Sequence, residues 1–323
     1  MKVLLVKMSS LGDVIHTLPA LSDARAAHPG LAFDWVVEEA FCEVPAWHPA
    51  VARVIPIALR RWRRAPLAAC RSGEWASLRR ALRTARYDLV LDAQGLLKSA
   101  FVTRLVPGPR AGYDRRSVRE APAALAYERR IAVPRALHAI ERSRRLFAAA
   151  LGYEVPDGSP DYGLDAGRLT AAAEAPARDA VLFLHGSSRP EKCWPEAHWI
   201  ALGTRAAEVG LRVLLPWGSA AERERAVRIA QALPHARVLP RLALAELASL
   251  MRAARAVVAV DTGLGHLAAA LGRPCVSLYG PTRTALIGAT GPGQRHVCAP
   301  GGAMDAIAPE SVWPALAAAL EPP

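Results

Sequence analysis

The sequence has no paired cysteines and no long apolar run. Its five cysteines are scattered through 323 residues without a CxxC pair, a usage typical of a reducing compartment. No apolar run approaches the roughly 18 residues that span a bilayer. The apolar segment near the N-terminus, Val3 to Val6, is far shorter than the core of a signal peptide. We therefore expect a cytoplasmic chain whose contact with a membrane is peripheral.

Motifs of several enzyme classes are missing as well. The sequence contains no HExxH, DxD or GxSxG motif, no Walker loop and no complete GxGxxG. These absences weigh against metalloenzymes, triad hydrolases, ATPases and dehydrogenases. We expect no bound metal and no cofactor.

Lysine is scarce, although the chain is strongly basic. Lysine and arginine number 41 against 29 acidic residues, a net charge of +12, and only four of these cations are lysines: Lys2, Lys7, Lys98 and Lys192. Such a charge favours polyanions, namely nucleic acid, phospholipid head groups or phosphorylated glycolipid. No nucleic-acid-binding motif accompanies the charge. A basic nucleic-acid-binding protein is therefore the more remote alternative.

Apolar runs and helical segments alternate along the chain. The first half contains VLLV, FDWVV, RVIPI and DLVLD, with a helix predicted from Asp13 to His28 and a basic helical stretch ending near Arg86. The second half contains AVLFLH, RVLLPW, ARVLP, AVVAVD and PCVSLYG, with helices predicted at Pro195–Val209, Ala220–Ala232, Leu244–Ala254, Leu264–Leu271 and within APESVWPALAAAL. This alternation predicts parallel, doubly wound α/β sheets.

A stretch rich in Pro, Gly, Asp and Ala interrupts the alternation at residues 155–180. We place a domain boundary there, which gives a first domain at 1–165 and a second at 166–323. Ligands of open α/β sheets bind beyond the carboxyl ends of the strands. The residues that follow each apolar run are therefore the candidates for a site.

The loop after the first apolar run, KMSSLGD, leads into a helix and places Asp13 near its N-terminus. The helix dipole favours an ionised carboxylate there. Asp13 is either an ordinary helix cap or a general base.

Three loops of the second half combine hydroxyls, glycines and charge. Ser187, Ser188 and Lys192 suit a diphosphate, because hydroxyls and an ammonium donate hydrogen bonds to it. The turn at 261–266 precedes a helix whose N-terminus can bind phosphate, or is merely a tight turn with a core histidine. Glu222 could bind ribose hydroxyls, although a surface glutamate is the commoner explanation of such a residue.

A cationic run occupies the first half. Residues 53–86 contain a single acidic residue, Glu74, and residues 1–165 carry 25 basic and 17 acidic residues against 16 and 12 in the remainder. The run comprises Arg60, Arg61, Arg63 and Arg64, and Lys98 follows the later segment DAQG. It is either a solvated face or the side that receives an anionic acceptor.

These segments together resemble the lipopolysaccharide heptosyltransferases of glycosyltransferase family 9. The resemblance covers nearly the whole chain, through KMSSLGDVIHTLPAL, FDWVVEE, RVIPIALRRWRR, LDAQGLLKSA, KCWPEAHW, LLPWGSAAERERA and VDTGLGHLAAALGRPCVSLYGPT. It implies the GT-B fold, in which two Rossmann-like domains face a cleft, with the acceptor on the N-terminal domain and the ADP-sugar on the C-terminal one. It also allows the last helix to pack back on the N-terminal domain.

The resemblance adds to the roles that the residues and their positions suggest. Asp13 matches the family's base. The donor-binding residues are Ser187, Ser188, Lys192, Glu222, Leu242, Asp261, Thr262, Gly263 and His266. The acceptor-binding residues are Lys7, Ser10, Gly12, Arg60, Arg61, Arg63, Arg64, Gln94 and Lys98. Threonine is frequent in the family where Ser187 and Ser188 stand, and either residue supplies a hydroxyl.

The implied reaction moves L-glycero-D-manno-heptose from ADP-L-glycero-β-D-manno-heptose to the first Kdo of Kdo-lipid A, with inversion at the anomeric carbon. It would take place on the anionic cytoplasmic face of the inner membrane, without nucleic acid as a partner. The RRWRR and LDAQGLLKSA segments favour the enzyme that adds the first heptose. The alternative within the family is heptosyltransferase II or another member that acts on a later core acceptor.

Overall fold

The computed structural model of the chain describes residues 1–169 and 177–321. The chain divides into two compact units, Met1–Arg168 and Leu169–Pro323. This division falls three residues after the boundary that we expect from the sequence. Residues 170–176, which belong to the expected boundary stretch, lie outside the described residues.

The first unit contains a parallel sheet of six strands in the order β3-β2-β1-β4-β5-β6. Its strands are β1 (Lys2–Val6), β2 (Ala32–Glu38), β3 (Val51–Ile57), β4 (Leu89–Asp92), β5 (Arg110–Tyr113) and β6 (Arg129–Ile131). Its helices are α1 (Leu11–Ile15), α2 (Leu18–Ala27), α3 (Glu43–Ala46), α4 (Leu59–Arg64), α5 (Pro66–Arg71), α6 (Glu74–Arg83), α7 (Leu97–Arg104) and α8 (Ala139–Leu151).

The second unit contains another parallel six-stranded sheet, in the order β12-β11-β10-β7-β8-β9. Its strands are β7 (Ala180–Leu184), β8 (Arg212–Leu215), β9 (Ala236–Val238), β10 (Ala256–Val260), β11 (Cys275–Tyr279) and β12 (Gln294–Cys298). Its helices are α9 (Glu196–Glu208), α10 (Ala220–Gln231), α11 (Leu244–Ala253), α12 (Gly263–Ala270), α13 (Thr284–Ile287) and α14 (Pro309–Leu320).

Both sheets have the Rossmann strand order, 3-2-1-4-5-6 when the strands are counted within each unit. The order reverses between the first and fourth strands, and ligands bind beyond the carboxyl ends of these two strands. In the first sheet Val6 of β1 pairs with Asp92 of β4. In the second, Leu184 of β7 pairs with Ala259 of β10. In each unit, the loops that follow the first and fourth strands therefore begin side by side at the carboxyl edge of the sheet.

Burial explains why the central strands are apolar on both faces. Helices cover both sides of a doubly wound sheet, so its inner strands lose their contact with water on each face. The apolar residues of β1 and all five residues of β7 are buried. Tryptophans add to the core of the second unit, where Trp194 and Trp199 are inaccessible to solvent and pack near Phe183.

Most predicted strands and helices are confirmed within two or three residues, but the first predicted helix is wrong as a single element. The chain forms α1 and α2, with Thr17 between them and Pro19 in the first turn of α2. A proline lacks the N–H of a helical bond and clashes with the carbonyl four residues earlier. One helix from Asp13 to His28 would place that clash at Ile15.

The basic stretch that ends near Arg86 also forms more than one helix. It contains α4, α5 and α6, which are interrupted before Pro66 and at Gly73, whose φ is +72°. The proline at position 66 cannot continue the preceding helix, because it lacks a backbone N–H. Gly73 separates the next two helices, since glycine adopts a positive φ at little cost in energy. The strands β5, β6 and β12 were not expected, because arginines and polar residues break their apolar pattern.

The last helix, α14, begins with Pro309 at its first position, where a proline's missing N–H costs no intrahelical bond. Its buried residues Val312 and Leu316 join the core of the second unit, which also contains Val258 and Val276. Among the described residues, no helix is both long and apolar enough to cross a membrane.

Candidate active site

The loop after β1 places the Asp13 carboxylate at the switch point of the first sheet. Asp13 is the third residue of α1, and its Oδ2 accepts hydrogen bonds from the Ser10 backbone N–H at 3.0 Å and from the Ser10 hydroxyl at 3.2 Å. Ser10 is exposed, whereas Gly12 is buried within α1. The helix N-terminus thus both orients and stabilises the ionised carboxylate.

Two cations lie against the other oxygen of Asp13. Arg119 Nη2 is 2.8 Å and Lys7 Nζ 3.7 Å from Oδ1. Burial raises the pKa of Asp13, but Lys7, Arg119 and the Ser10 N–H outweigh it, and the pKa lies well below its usual range. The carboxylate is therefore charged at neutral pH, and 15% of the side chain is exposed. Because the carboxylate is already ionised and partly exposed, it is ready to accept a proton from a ligand.

Lys7 and Gln94 join the loops after β1 and β4. Lys7 Nζ donates to the carbonyl of Ala93 at 3.2 Å, and burial lowers its pKa more than Asp13 raises it. Gln94 Oε1 accepts from the Met8 N–H at 2.6 Å, and its Nε2 donates to the Ser9 carbonyl at 2.8 Å. Both side chains were expected to bind the acceptor. The structure shows them buried, where they hold the loop that carries Asp13.

Sequence reasoning missed Arg119 and Arg142. They line a small pocket with Lys7, Asp13 and Gln94. Arg119 follows β5, a strand that was not predicted, and is 106 residues from Asp13 along the chain. Arg142 lies on α8, 4.9 Å from the centre of the Tyr113 ring, and burial lowers its pKa. A predicted β5 would have drawn attention to Arg119, since the loop after it reaches the same sheet edge.

The cationic run forms α4, and its four arginines have different surroundings. Arg61 pairs with Glu39 at 3.0 Å and with Glu74 at 2.8 Å, so its charge is already neutralised. Arg60 lies 5.1 Å from the centre of the Phe41 ring. Within residues 1–169 and 177–321, no ion pair is found for the exposed residues Arg63 and Arg64.

Lys98 connects this cationic surface to the Asp13 loop. Its Nζ donates to the Ser9 hydroxyl at 3.1 Å. Burial lowers the pKa of Lys98, Glu38 opposes that shift, and Arg60 and Arg63 add to it. Lys98 therefore lies within electrostatic reach of α4 and in contact with the loop that carries the base.

In the second unit, Lys192 and Asp261 meet at the switch point. Lys192 Nζ is 2.6 Å from Asp261 Oδ2, and both side chains are largely buried. The Thr282 hydroxyl, in the loop after β11, donates to the same carboxylate oxygen. The Ser187 hydroxyl donates to the Asp261 carbonyl at 3.4 Å. Loops after three neighbouring strands thus converge on Asp261.

The N-terminus of α12 lies directly beside this ion pair. Thr262 is the N-cap residue and Gly263 the first helical residue, so their neighbourhood has backbone N–H groups with no partner inside the helix. His266 is buried one turn further on, and Ser188 is exposed in the loop after β7. An ammonium next to a helix N-terminus suits a diphosphate.

Glu222 lies at the start of α10, close to the loop after β7. Its Oε2 accepts from the Gly218 N–H at 2.7 Å and from the Ser219 N–H at 3.2 Å. A Cβ on Gly186 would come within 2.6 Å of the Glu222 carboxyl carbon, so a larger residue there would displace that carboxylate. Leu242 is half-buried just before α11. Among the described residues, no hydrogen bond is found at the other oxygen of Glu222, Oε1, which leaves that oxygen for a hydroxyl ligand.

Among the described residues, no three His, Cys, Asp or Glu side chains are grouped as metal ligands. The first switch point instead offers an ionised carboxylate among cations, and the second offers an ammonium and a helix N-terminus. Two Rossmann-type units with these centres fit the GT-B fold of glycosyltransferases, which the sequence predicts.

Comparison with known proteins agrees with this class. The model of glycosyltransferase family 9 (heptosyltransferase) matches residues 75–312. Lipopolysaccharide heptosyltransferase 1 of Pseudomonas aeruginosa is 56% identical over 93% of this chain and 86% of its own length. The enzyme of the same name from Escherichia coli K12 is 48% identical over 93% and 94%.

Solved structures give the same result. The E. coli heptosyltransferase WaaC with ADP superposes with a TM-score of 0.93 at 45% identity, covering 99% of this chain and 100% of that one. Its complex with ADP-2-deoxy-2-fluoro heptose gives a TM-score of 0.89 at 44% identity, covering 98% and 99%. The chain belongs to glycosyltransferase family 9, the heptosyltransferases. The predicted fold class and enzyme class are thereby confirmed.

Proposed function

We propose that this enzyme transfers L-glycero-D-manno-heptose from its ADP derivative to the first Kdo of Kdo-lipid A, in the inner core of lipopolysaccharide. The observation that carries the proposal is Asp13, a carboxylate held ionised by Lys7 and Arg119 at the switch point of the first sheet. The names of the relatives that are 48–56% identical support heptose as the sugar and lipopolysaccharide as the molecule that receives it. The heptose epimer and the Kdo-lipid A acceptor are what the sequence resemblance implies.

Asp13 acts as the general base in this mechanism. It accepts the proton of the acceptor hydroxyl while that oxygen attacks the anomeric carbon of heptose. The new carbon–oxygen bond forms as the bond to the β-phosphate oxygen breaks on the opposite face, so the configuration at that carbon inverts. The electron pair of the broken bond leaves with ADP.

Lys192 and the N-terminus of α12 take the charge that develops on ADP. An ammonium and oriented N–H groups in a partly buried site stabilise a leaving diphosphate as its charge grows. Ser187, Ser188, Thr262 and Gly263 would contact the phosphates. Glu222 would accept from the ribose hydroxyls through its free oxygen, while Leu242 and His266 would border the nucleoside.

The acceptor's phosphates and Kdo carboxylates are anions, and the first unit supplies their partners. We assign this role to Arg60, Arg63, Arg64 and Lys98 around the Asp13 loop, with Arg119 added from the structure. Arg61 would support α4 through its pairs with Glu39 and Glu74. The same cations would face the anionic inner surface of the cytoplasmic membrane.

The direct test is to incubate the purified chain with ADP-heptose and Kdo-lipid A, and separately with an acceptor that already carries one heptose. We expect the mass of the first acceptor to rise by one heptose and the second to remain unchanged. Preference for the heptosylated acceptor would instead assign the chain the role of heptosyltransferase II. Lipopolysaccharide heptosyltransferase 2 of E. coli K12 and that of Salmonella typhimurium are 28% and 27% identical over 87% of this chain, which favours the first outcome.

A further inference from the structure

The outward face of α7 is unusual because it is apolar. Leu97 and Phe101 lie four residues apart, so they share one face of the helix, and each is 54% exposed. The opposite face of α7 packs inward through Ser99, Ala100, Val102 and Thr103. A surface helix normally shows polar residues on its outer side. Here both sides carry apolar residues, which suggests that the outer side also meets an apolar phase.

A third exposed apolar side chain lies on the segment that packs against α7. Leu125, 73% exposed, belongs to the 3-10 segment Ala121–Ala126, which packs against α7. The backbone N–H of Leu97 donates to Glu120 Oε2 at 2.6 Å, which ties the start of α7 to this segment. We call Leu97, Phe101 and Leu125 the apolar patch. An exposed cluster of large apolar side chains generally marks an interaction surface.

Cations lie beside the apolar patch, together with the carboxylates of Glu38 and Glu120, which lie near Lys98. Lys98 and Arg104 are the exposed charged residues of α7, which contains no acidic residue. Arg60 and Arg63 on α4 act on the pKa of Lys98 and therefore lie near it. Phe101 also stacks on Trp75 at 5.8 Å between ring centres, so a second aromatic ring supports it from α6.

This combination matches the interface of an anionic bilayer. Apolar and aromatic side chains enter the boundary between head groups and acyl chains, while neighbouring cations attract anionic lipids. The Lys98 ammonium also contacts Ser9 in the Asp13 loop, so the patch adjoins the acceptor side of the first unit. We propose that Leu97, Phe101 and Leu125 insert into the membrane interface and hold the acceptor side at the lipid surface.

Membrane insertion by the patch does not depend on the proposed function. Only its role, which is to bring the base Asp13 to a lipid-borne acceptor, rests on that function. The test compares the double variant L97S/F101S with V209S. Val209 is 55% exposed at the end of α9, so its replacement removes a similar apolar side chain from the second unit. The full-length proteins are sedimented with vesicles of phosphatidylcholine mixed with phosphatidylglycerol, at low and high salt.

We expect L97S/F101S to lower the partition onto vesicles on the order of tenfold at both salt concentrations, because it removes apolar insertion. V209S should bind as the wild type does. Turnover with a water-soluble, deacylated acceptor and the affinity for ADP should be unchanged in both variants. L125S should lower the partition by a smaller factor, which provides a variant that leaves α7 intact.

Three results would overturn the proposal. The first is unchanged vesicle binding by L97S/F101S, and the second is an equal loss in V209S. The third is a wild-type dimer that L97S/F101S dissociates without loss of lipid binding, since the patch would then contact a second copy. Failure of the wild type to transfer heptose to the soluble acceptor would contradict the proposed function instead and would leave the vesicle result standing.

Discussion

The two units have the same strand order but opposite charge arrangements at their switch points. The first unit centres on an anion, Asp13, with Lys7 and Arg119 beside it. The second centres on a cation, Lys192, held by Asp261. Identical topology thus presents a carboxylate in one unit and an ammonium in the other, to which we assign proton acceptance and anion binding. The difference shows that the loops, rather than the sheets, decide the chemistry.

The correspondence between the units extends to single loops. Asp13, Gln94 and Arg119 follow the first, fourth and fifth strands of the first sheet. Lys192, Asp261 and Thr282 follow the first, fourth and fifth strands of the second. Each centre is therefore built from the same three loop positions. Under the proposed function, substitutions in the first unit should affect deprotonation of the acceptor, whereas substitutions at equivalent positions in the second should affect donor binding.

The largest effect is expected for Asp13→Asn, which keeps the shape of the side chain and removes its basicity. Turnover should fall by about 10² to 10⁴-fold. The measurement is heptose transfer at saturating concentrations of both substrates. Near-native turnover would mean that Asp13 only caps α1, and the proposed mechanism would be wrong.

Lys192→Ala should act on the donor. Loss of a charge-assisted hydrogen bond to the diphosphate should weaken donor affinity or turnover roughly 10- to 100-fold. The matched control is Lys2→Ala, since Lys2 also pairs with an aspartate, Asp34, at 3.2 Å but lies at the start of β1. Equal kinetics for the two variants would place Lys192 outside the donor site.

Arg119→Gln should weaken acceptor use about tenfold, through loss of one charged hydrogen bond. It should also change the pH profile. Arg119 helps to hold the pKa of Asp13 down, so its removal raises that pKa. Because turnover requires the ionised carboxylate, the acidic limb of kcat/KM should move to higher pH. An unchanged limb would show that Lys7 and Ser10 suffice.

Replacing Arg60, Arg61, Arg63 and Arg64 by glutamine should raise the acceptor KM and weaken vesicle binding, while donor affinity stays nearly constant. Each exposed cation near an anionic surface contributes on the order of 1 kcal/mol and is screened by salt. Titrations at low and high salt measure the effect. R63Q/R64Q should reproduce most of it and R61Q little, because Arg61 is already paired. If these arginines merely face solvent, the acceptor KM of the variant will equal that of the wild type.

The smallest effect is expected for EDTA. The proposed donor site has an ammonium and a helix N-terminus to neutralise the diphosphate, so turnover should survive chelation. Transfer assays with and without EDTA give the answer. Abolition by EDTA, with recovery on adding a divalent ion, would count against the donor site described here.

The sequence predicted the parts of the site that follow long apolar strands. KMSSLGD and VDTGLGH come after the buried strands β1 and β10, so their glycines and charges stand out at a sheet edge. Arg119 could not be found in this way, because β5 has the sequence RAGY and its arginine hides the apolar pattern. The partners of Arg61 also depend on tertiary contacts, which join residues 13 and 22 positions apart.

The division of labour between the two switch points can be tested in one experiment. ADP is titrated calorimetrically into the wild type, Asp13→Asn and Lys192→Ala, and heptose transfer is measured on the same preparations. We predict that Asp13→Asn binds ADP like the wild type but turns over about 10² to 10⁴-fold more slowly, whereas Lys192→Ala binds ADP more weakly. Loss of ADP binding in Asp13→Asn, or unchanged binding in Lys192→Ala, would contradict the assignment of the base to one unit and the diphosphate to the other.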